Sequence, residues 1–325
     1  MVAVVATGGT IAGSLNSPER FGYRPAIRTI HELLDAVPGL EALAEVKHEQ
    51  LFQMDSVNMD DKTMLALVRR TTELLATDEV DAVLVTQGTD TLEEMSYLAH
   101  LTVKSRKPVV FVASMRPGDD LSADGPRNLR NAVATAASGA AGNMGALVVM
   151  NDEIHTARDA TKMHTLNVSA LQSPHGPLGY VVDDRPIFYR LPSRQHTYQT
   201  TFDVQNVTEL PRVDVIYAHA GMGTSVIEAL VASGTSAIIC AGMGNGHLPD
   251  RVYASLKAAR SAGIHVVRAS RSGSGPVVRN ASAPDDENDW IVVDDQNPQK
   301  ARLLMALALS TTQDTRVLQS IFWTY

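Results

Sequence analysis

Residues 2–10 read Val-Ala-Val-Val-Ala-Thr-Gly-Gly-Thr, a short apolar run that ends in a glycine-rich turn. Such a run fits a buried strand, because a strand covered on both faces needs no polar alternation. Longer amphipathic segments separate it from further runs of the same kind. Those runs lie at 82–85, 109–113, 146–150, 213–217, 237–240 and 264–267. Parallel strands joined by crossover helices give this alternation of apolar runs and amphipathic segments, so the sequence predicts an α/β fold.

The length of the chain indicates two domains, because 325 residues exceed the size at which one core usually stops growing. The stretch 179–211 interrupts the rhythm of strands and helices, since it contains three prolines and alternates like hairpin strands. The prediction is a larger N-terminal catalytic α/β domain with a mainly parallel sheet flanked by helices, then a linker and a smaller C-terminal α/β domain. Their ranges are 1–190, 191–212 and 213–325.

Composition narrows the class of partner. A net charge of −8 argues against a nucleic-acid partner, because nucleic-acid binders usually carry a basic patch. The apolar run at the N-terminus is too short to span a bilayer and follows no basic segment, so no membrane partner is expected. A small molecule is therefore the expected partner. The compartment stays open between the cytoplasm and, if an export signal was removed, the periplasm.

Three helix starts can be read from their capping residues. Asp60 precedes an amphipathic segment, Thr-Leu-Glu-Glu at 91–94 has the pattern of a capping box, and Asn297-Pro298 opens a helix through Leu309. The single cysteine, Cys240, lies in an apolar run and has no intrachain partner for a disulfide. We expect it to be a buried structural residue.

The first candidate for chemistry is Thr10, which follows the first predicted strand. Ligands of open α/β sheets bind outside the carboxyl ends of the strands, so a hydroxyl at this place is well sited. Gly8 and Gly9 would allow a sharp turn and a close approach of substrate to the backbone. The alternative is a plain turn between a strand and a loop.

The second candidate is the segment Thr-Gln-Gly-Thr-Asp-Thr at 86–91, where another predicted strand meets a helix. It places the hydroxyl of Thr89 beside the carboxylate of Asp90, near the positive end of the helix. The alternative is that Asp90 and Thr91 only cap that helix. We expect both Thr10 and Thr89 to lie at the accessible surface of a site and not in the core.

The third candidate is Lys162, which we expect after the strand that ends near Met150. A lysine becomes a usable base when burial or a nearby cation lowers its pKa, whereas an ordinary surface lysine is the default interpretation. Three strand ends of one sheet would thus supply two threonines, an aspartate and a lysine. A hydroxyl needs a neighbouring base to become a nucleophile, and this set provides one.

Motifs along the whole chain resemble those of the bacterial-type L-asparaginases and glutaminase-asparaginases. They are Thr-Gly-Gly-Thr-Ile-Ala at 7–12, Met-Arg-Pro at 115–117, Ser-Ala-Asp-Gly at 122–125, Gly-Pro-Leu-Gly at 176–179 and Asn-Pro-Gln-Lys-Ala-Arg at 297–302. The resemblance implies hydrolysis of L-asparagine to L-aspartate and ammonia by acyl transfer, with no metal and no cofactor.

The resemblance also implies a role for each site residue. Thr10 would be the nucleophile, and Tyr23, on a mobile loop, would assist it. Thr89 and Lys162 would form a second unit of hydroxyl and base. Further residues would bind the head group of the substrate: Ser56, Val57, Gly88, Asp90, and, from a neighbouring subunit of a homotetramer, Asn245, His247 and Ser282.

Three positions depart from the family pattern. Val57 stands where relatives usually have Gln or Glu, Ser282 where they often have Glu, and His247 where they commonly have Asn or Ser. The first two changes remove polar or anionic groups from the end of the site that would bind the substrate amine. We therefore expect a preference for asparagine and weak activity on glutamine.

Two alternatives remain. The runs Asn-Asp-Trp at 288–290 and Ile-Phe-Trp at 321–323 look like the dual-specificity glutaminase-asparaginases. A non-catalytic amino-acid-binding protein built on the same fold is the alternative from another class, but it predicts an incomplete catalytic set. Here Thr10, Tyr23, Thr89, Asp90 and Lys162 are all present.

Overall fold

The computed structural model describes residues 1–16 and 22–325. The chain forms two compact units, a first unit Met1–Val207 and a second unit Thr208–Tyr325. Both have α/β architecture, which confirms the predicted fold class. The limits of the predicted linker, 191–212, stay a prediction. Within the described ranges, none of the helices combines the length and the apolar character needed to cross a membrane.

The main sheet of the first unit is mixed and mostly parallel. The strands of this unit are β1 (Val2–Gly8), β2 (Ser14–Leu15), β3 (Tyr23–Arg24), β4 (Val46–Met54), β5 (Ala82–Thr86), β6 (Val109–Val112), β7 (Ala146–Met150), β8 (Glu153–Thr156), β9 (Thr161–Lys162), β10 (Leu171–Gln172), β11 (Gly179–Val182) and β12 (Arg185–Phe188). Eight of them form one sheet in the order β12-β11-β8-β7-β6-β5-β1-β4. Strands β4, β1, β5, β6 and β7 run parallel, whereas the pairings β7–β8, β8–β11 and β11–β12 are antiparallel.

Helices cover this sheet and complete its core. They are α1 (Ile30–Asp35), α2 (Asp61–Leu75), α3 (Leu92–Thr102) and α4 (Gly125–Ala137). Leu129 and Val133 of α4 belong to one buried cluster with Val110 of β6 and Leu147 of β7. These contacts fix α4 against the parallel part of the sheet, because burying such side chains removes apolar surface from water.

One predicted cap is present and another is not. Asp60 accepts a hydrogen bond from the backbone N–H of Thr63 at 2.8 Å and caps α2 as expected. The capping box predicted at 91–94 is wrong, because Thr91 makes no side-chain capping bond. Its ψ of 9° departs from the extended backbone that an N-cap requires, and its hydroxyl donates to the carbonyl of Ser56 at 3.0 Å.

The second unit contains a four-stranded parallel sheet. Its elements are β13 (Val213–Tyr217), α5 (Ser225–Ala232), β14 (Ala237–Gly242), α6 (Asp250–Ser261), β15 (His265–Ser270), α7 (Asp285–Asn288), β16 (Ile291–Val292), α8 (Pro298–Leu309) and α9 (Thr315–Thr324), and the strand order is β13-β14-β15-β16. Asn297 caps α8 as predicted, accepting from the N–H of Lys300 at 2.9 Å. Cys240 is buried in β14, and burial raises the pKa of its thiol to about 12, as suits a structural residue.

Buried histidines make the stability of the chain depend on pH. Burial is the main cause that lowers the pKa of His155, His196 and His265 from the ordinary value of 6.5. Each therefore stays neutral in the folded chain at pH values where the unfolded chain takes up a proton. Because the unfolded state then binds more protons, we expect the free energy of unfolding to fall as the pH drops from about 7 to about 5.

Urea denaturation at several pH values checks this expectation. His196→Asn should make the free energy of unfolding depend less on pH, because it removes one of the protons taken up on unfolding. His48, which is exposed, provides the control, and His48→Asn should keep the wild-type dependence. An unchanged pH dependence in His196→Asn would count against burial as its cause.

Candidate active site

Three loops of the first unit meet beyond the ends of β1, β4 and β5, and glycines allow the approach. A Cβ added to Gly9 would lie 2.2 Å from the Cα of Gly88, and one added to Gly88 would lie 2.4 Å from Ser56 Oγ. Neither position has space for a side chain. The loops that carry Thr10 and Thr89 are therefore in backbone contact, and the side chain of Ser56 packs on Gly88, although the three residues are far apart in the sequence.

Thr10 and Tyr23 form the first polar pair of the site. The Oγ1 of Thr10 lies 2.8 Å from the phenol oxygen of Tyr23, and either atom can donate the hydrogen bond. Tyr23 lies in β3, where it pairs with Leu15 of β2, so this small hairpin determines the position of the phenol. Part of the loop that the resemblance describes as mobile, 17–21, lies outside the described residues.

Thr89, Asp90 and Lys162 form the second polar group. The ammonium of Lys162 donates to Thr89 Oγ1 at 2.8 Å and to Asp90 Oδ1 at 2.5 Å. The lysine side chain is largely buried, whereas the side chain of Asp90 is 46% exposed. A largely buried lysine thus contacts both a hydroxyl and a carboxylate that can still receive a ligand.

Lys162 reaches this group by a different route from the one predicted. It does not follow the strand that ends at Met150, because the chain turns back there and adds β8 antiparallel to β7. Asn151 and Asp152 form the turn with positive φ, a conformation that Asn and Asp adopt more easily than most residues. Lys162 then lies in β9, which pairs with β10 in a separate two-stranded ribbon. Two strand ends and a ribbon, not three strand ends, supply the residues.

The exposure of the two threonines also differs from the expectation. Thr10 is 6% and Thr89 3% exposed, so both are buried in the described chain. The glycine-mediated contact between their loops accounts for this burial, because it leaves little space around either residue. Substitutions that test them should preserve volume, as Thr→Val does.

The remaining residues predicted for the head group fall into two sets. In the first unit, Ser56 is buried at the start of a short helical turn, whereas Val57 beside it is 59% exposed. In the second unit, Ser282 Oγ donates to the carbonyl of Asn245 at 3.1 Å and lies 3.0 Å from His247 Nε2. Asn245, His247 and Ser282 therefore form one polar cluster within their own unit.

A buried ion pair lies behind this cluster and was not predicted. Arg268 and Asp285 are both fully buried and are joined by two hydrogen bonds of 2.6 and 2.7 Å. Arg268 also donates to the carbonyls of Asn245 at 3.1 Å and Gly246 at 3.2 Å. The backbone N–H of Asn280 donates to Asp285 at 2.7 Å. The pair thus joins the loops that carry Asn245 and Ser282.

Thr91 and Gln87 support the loop between β5 and α3. The Nε2 of Gln87 donates to Thr91 Oγ1 at 3.3 Å, and Thr91 in turn donates to the backbone of Ser56. A sequence pattern cannot predict these two hydrogen bonds, because the second one depends on where the loop after β4 lies. In the part of the chain that the structure describes, no three His, Cys, Asp or Glu side chains are grouped as a metal site requires.

Comparisons with known proteins find similarity along the whole chain. The family "Asparaginase, N-terminal" matches residues 1–194, and the "Glutaminase/Asparaginase C-terminal domain" matches residues 212–322. Glutaminase-asparaginase of Pseudomonas fluorescens biotype A is 43% identical, over 100% of this chain and 90% of its own length. L-asparaginase 2 of Escherichia coli K12 is 42% identical, over 100% of this chain and 93% of its own length.

A solved structure extends the similarity to the fold. The crystal structure of a probable cytoplasmic L-asparaginase from Campylobacter jejuni has a TM-score of 0.96 at 42% identity, covering 100% of this chain and 99% of that one. Both domains of the family, in the family order, thus occupy the two units whose polar groups are described above. The chain belongs to the asparaginase and glutaminase-asparaginase family of amidohydrolases, whose substrates are asparagine and glutamine.

Proposed function

We propose that this amidohydrolase converts L-asparagine to L-aspartate and ammonia through a threonine nucleophile, and that it acts weakly on glutamine. The observation that carries the proposal is the pairing of two buried threonines with functional partners, Thr10 with Tyr23 and Thr89 with Lys162. Covalent catalysis needs a hydroxyl within hydrogen-bond distance of a group that can exchange a proton with it, and both pairs meet that distance at 2.8 Å.

The reaction proceeds in two acyl-transfer steps. In the first, Thr10 Oγ1 bonds to the side-chain amide carbon of asparagine, its proton is relayed through the Tyr23 hydroxyl to the amide nitrogen, and the C–N bond breaks to release ammonia. In the second, water attacks the resulting ester, aspartate leaves and Thr10 regains its proton. Thr89 and Lys162 form the second unit of hydroxyl and base beside the reacting carbon.

The charged head group of the substrate would be held by polar groups of the first unit. Asp90 has an exposed carboxylate face for the α-ammonium, and Ser56 with the backbone of Gly88 offers hydrogen bonds to the α-carboxylate. We further propose a homotetramer in which Asn245, His247 and Ser282 reach the site of a neighbouring subunit. Light scattering should show a tetramer, and a fully active monomer would contradict the shared site.

Product analysis tests the proposal. Incubation with L-asparagine should release ammonia and aspartate in equal amounts. A protein that only binds amino acids would instead give binding heat in calorimetry with no product. The second candidate, a dual-specificity glutaminase-asparaginase, is favoured by the similarity to the Pseudomonas protein of that name. It would release ammonia from glutamine and asparagine with comparable specificity constants.

The amine end of the site gives a prediction about specificity. If Val57 and Ser282 leave Asp90 as the main anionic partner of the ammonium, one charge-assisted hydrogen bond of about 1.5–3 kcal/mol is missing. Val57→Gln with Ser282→Glu should then lower KM for both amides by roughly ten- to a hundredfold and raise the relative activity on glutamine. Steady-state kinetics on both substrates measures this change.

Val57→Ala is the matched control, since it alters the same exposed position without adding a polar group. The hydrogen bonds of Ser282 to Asn245 and His247 give the competing explanation, in which His247 already fills the gap. A double variant whose ratio of specificity constants for glutamine and asparagine equals that of the parent would favour that explanation and defeat the prediction.

A further inference from the structure

The carboxylate of Asp119 links the hairpin of β2 and β3, which carries Tyr23, to a neighbouring loop by hydrogen bonds. The hydroxyl of Ser14 donates to Asp119 Oδ2 at 2.6 Å. The backbone N–H of Leu15 donates to Asp119 at 2.9 Å to Oδ1 and 3.1 Å to Oδ2. Leu15 is the strand partner of Tyr23, so Asp119 holds the backbone directly across from the tyrosine.

The loop that carries Asp119, residues 115–124, is itself held firmly. The carboxylate of Asp124 accepts from the backbone N–H groups of Met115 at 3.0 Å and Arg116 at 2.9 Å. The side chain of Asn128, in α4, donates to the same carboxylate at 3.1 Å. The motifs at 115–117 and 122–125 therefore attach this loop to α4, and Asp119 lies on the attached loop.

Further contacts join the same two segments. The N–H of Gly118 donates to the carbonyl of Gly13 at 3.4 Å. The guanidinium of Arg28 packs so closely on Gly118 that an added Cβ would lie 2.1 Å from it. The hydrogen bond from Ser14 is the main cause that lowers the pKa of Asp119, so the ionised carboxylate is the form that holds the hairpin.

We propose that Asp119 is a positioning residue for the reaction: it docks the β2–β3 hairpin and thereby keeps the Tyr23 phenol within hydrogen-bond distance of Thr10. The functional part of this inference rests on the proposed role of Tyr23. Asp119 touches neither Thr10 nor Tyr23 in the described contacts, and it acts through the hairpin. An acid-base partner displaced by about 1 Å loses much of its effect, so loss of this anchor should reduce turnover more than substrate binding.

Kinetics on single and double variants test the proposal. Asp119→Ala should lower kcat on asparagine about tenfold and change KM less than about twofold, because proton transfer and not ground-state binding is affected. Asp119→Asn keeps an acceptor for the N–H of Leu15 and should retain more activity. The control is Asp120→Ala, which removes the adjacent charge and should leave kcat near wild type. In a Tyr23→Phe background, Asp119→Ala should have almost no further effect.

Hydrogen exchange provides a readout that does not depend on activity. Asp119→Ala should accelerate amide exchange at Leu15 by about tenfold or more, since its N–H loses the acceptor, while Asp120→Ala should not. A wild-type rate of amide exchange at Leu15 in Asp119→Ala would show that Asp119 does not hold the β2–β3 hairpin. If Asp119→Ala lowered kcat equally in the wild-type and Tyr23→Phe backgrounds, Asp119 would not act through Tyr23. Wild-type turnover by Tyr23→Phe would instead count against the proposed catalytic mechanism, and exchange would still decide the anchor.

Discussion

Thr10→Val and Thr89→Val should each lower turnover on asparagine by at least about a thousandfold, and Lys162→Met should do the same. Each variant removes the hydroxyl or amine of a pair that lies at 2.8 Å, Thr10 with Tyr23 or Thr89 with Lys162. Valine preserves the volume of threonine in these buried positions, so the melting temperature should stay near that of the wild type. Turnover and thermal melts measured on the same preparations check both parts.

A threonine away from the site provides the control. Thr72 lies in α2, where its hydroxyl donates to the carbonyl of Val68 at 2.9 Å, and Thr72→Val should retain wild-type turnover. Near-normal turnover in the Thr89 or Lys162 variant would eliminate the proposed second unit. A melting temperature that falls in step with activity would show that these residues support the fold and not the chemistry.

Asp285→Ala should give the largest loss of stability, about 3–5 kcal/mol in the free energy of unfolding. The substitution leaves Arg268 as a fully buried charge without its carboxylate, and it removes the acceptor of the Asn280 N–H. Because Arg268 also holds the carbonyls of Asn245 and Gly246, the cluster around Ser282 should lose its order. Urea denaturation measures the loss.

The next residue in the sequence is a matched control. Asp286 pairs with Arg279 at 2.7 Å, but its side chain is 65% exposed. Asp286→Ala should therefore lower the free energy of unfolding far less than Asp285→Ala does, because water screens the pair and solvates the remaining arginine. Similar losses in the Asp285 and Asp286 variants would contradict the importance of burial at Arg268.

Central parallel strands such as β5 and β7 could be predicted from the sequence because both of their faces are covered, which selects continuous apolar runs. Strand β4 could not be predicted in this way because it is not covered on both faces. It is an edge strand, Val46–Met54, with many polar and half-exposed residues, so it lacks an apolar run. Strand β8 is only four residues long and follows β7 after a tight turn.

The loops of the site were predictable from residue type and position, since Thr10 and Thr89 each follow a predicted strand. The supporting contacts were not. Ser14 and Asp119 lie 105 residues apart, and Arg268 and Asp285 are joined only because their loops pack in the folded unit. Such partners are fixed by tertiary packing, which no local pattern of residues encodes. Thr91 illustrates the same limit. It stands in a good capping sequence, but its hydroxyl donates to the carbonyl of Ser56 instead of capping α3.

Ammonia release from asparagine and from glutamine, measured side by side on the wild-type protein, tests the proposed preference for asparagine. We expect the specificity constant for asparagine to exceed that for glutamine by at least about tenfold, because the longer side chain must shift a head group held by few polar contacts. Equal specificity constants for the two amides, or a preference for glutamine, would contradict it.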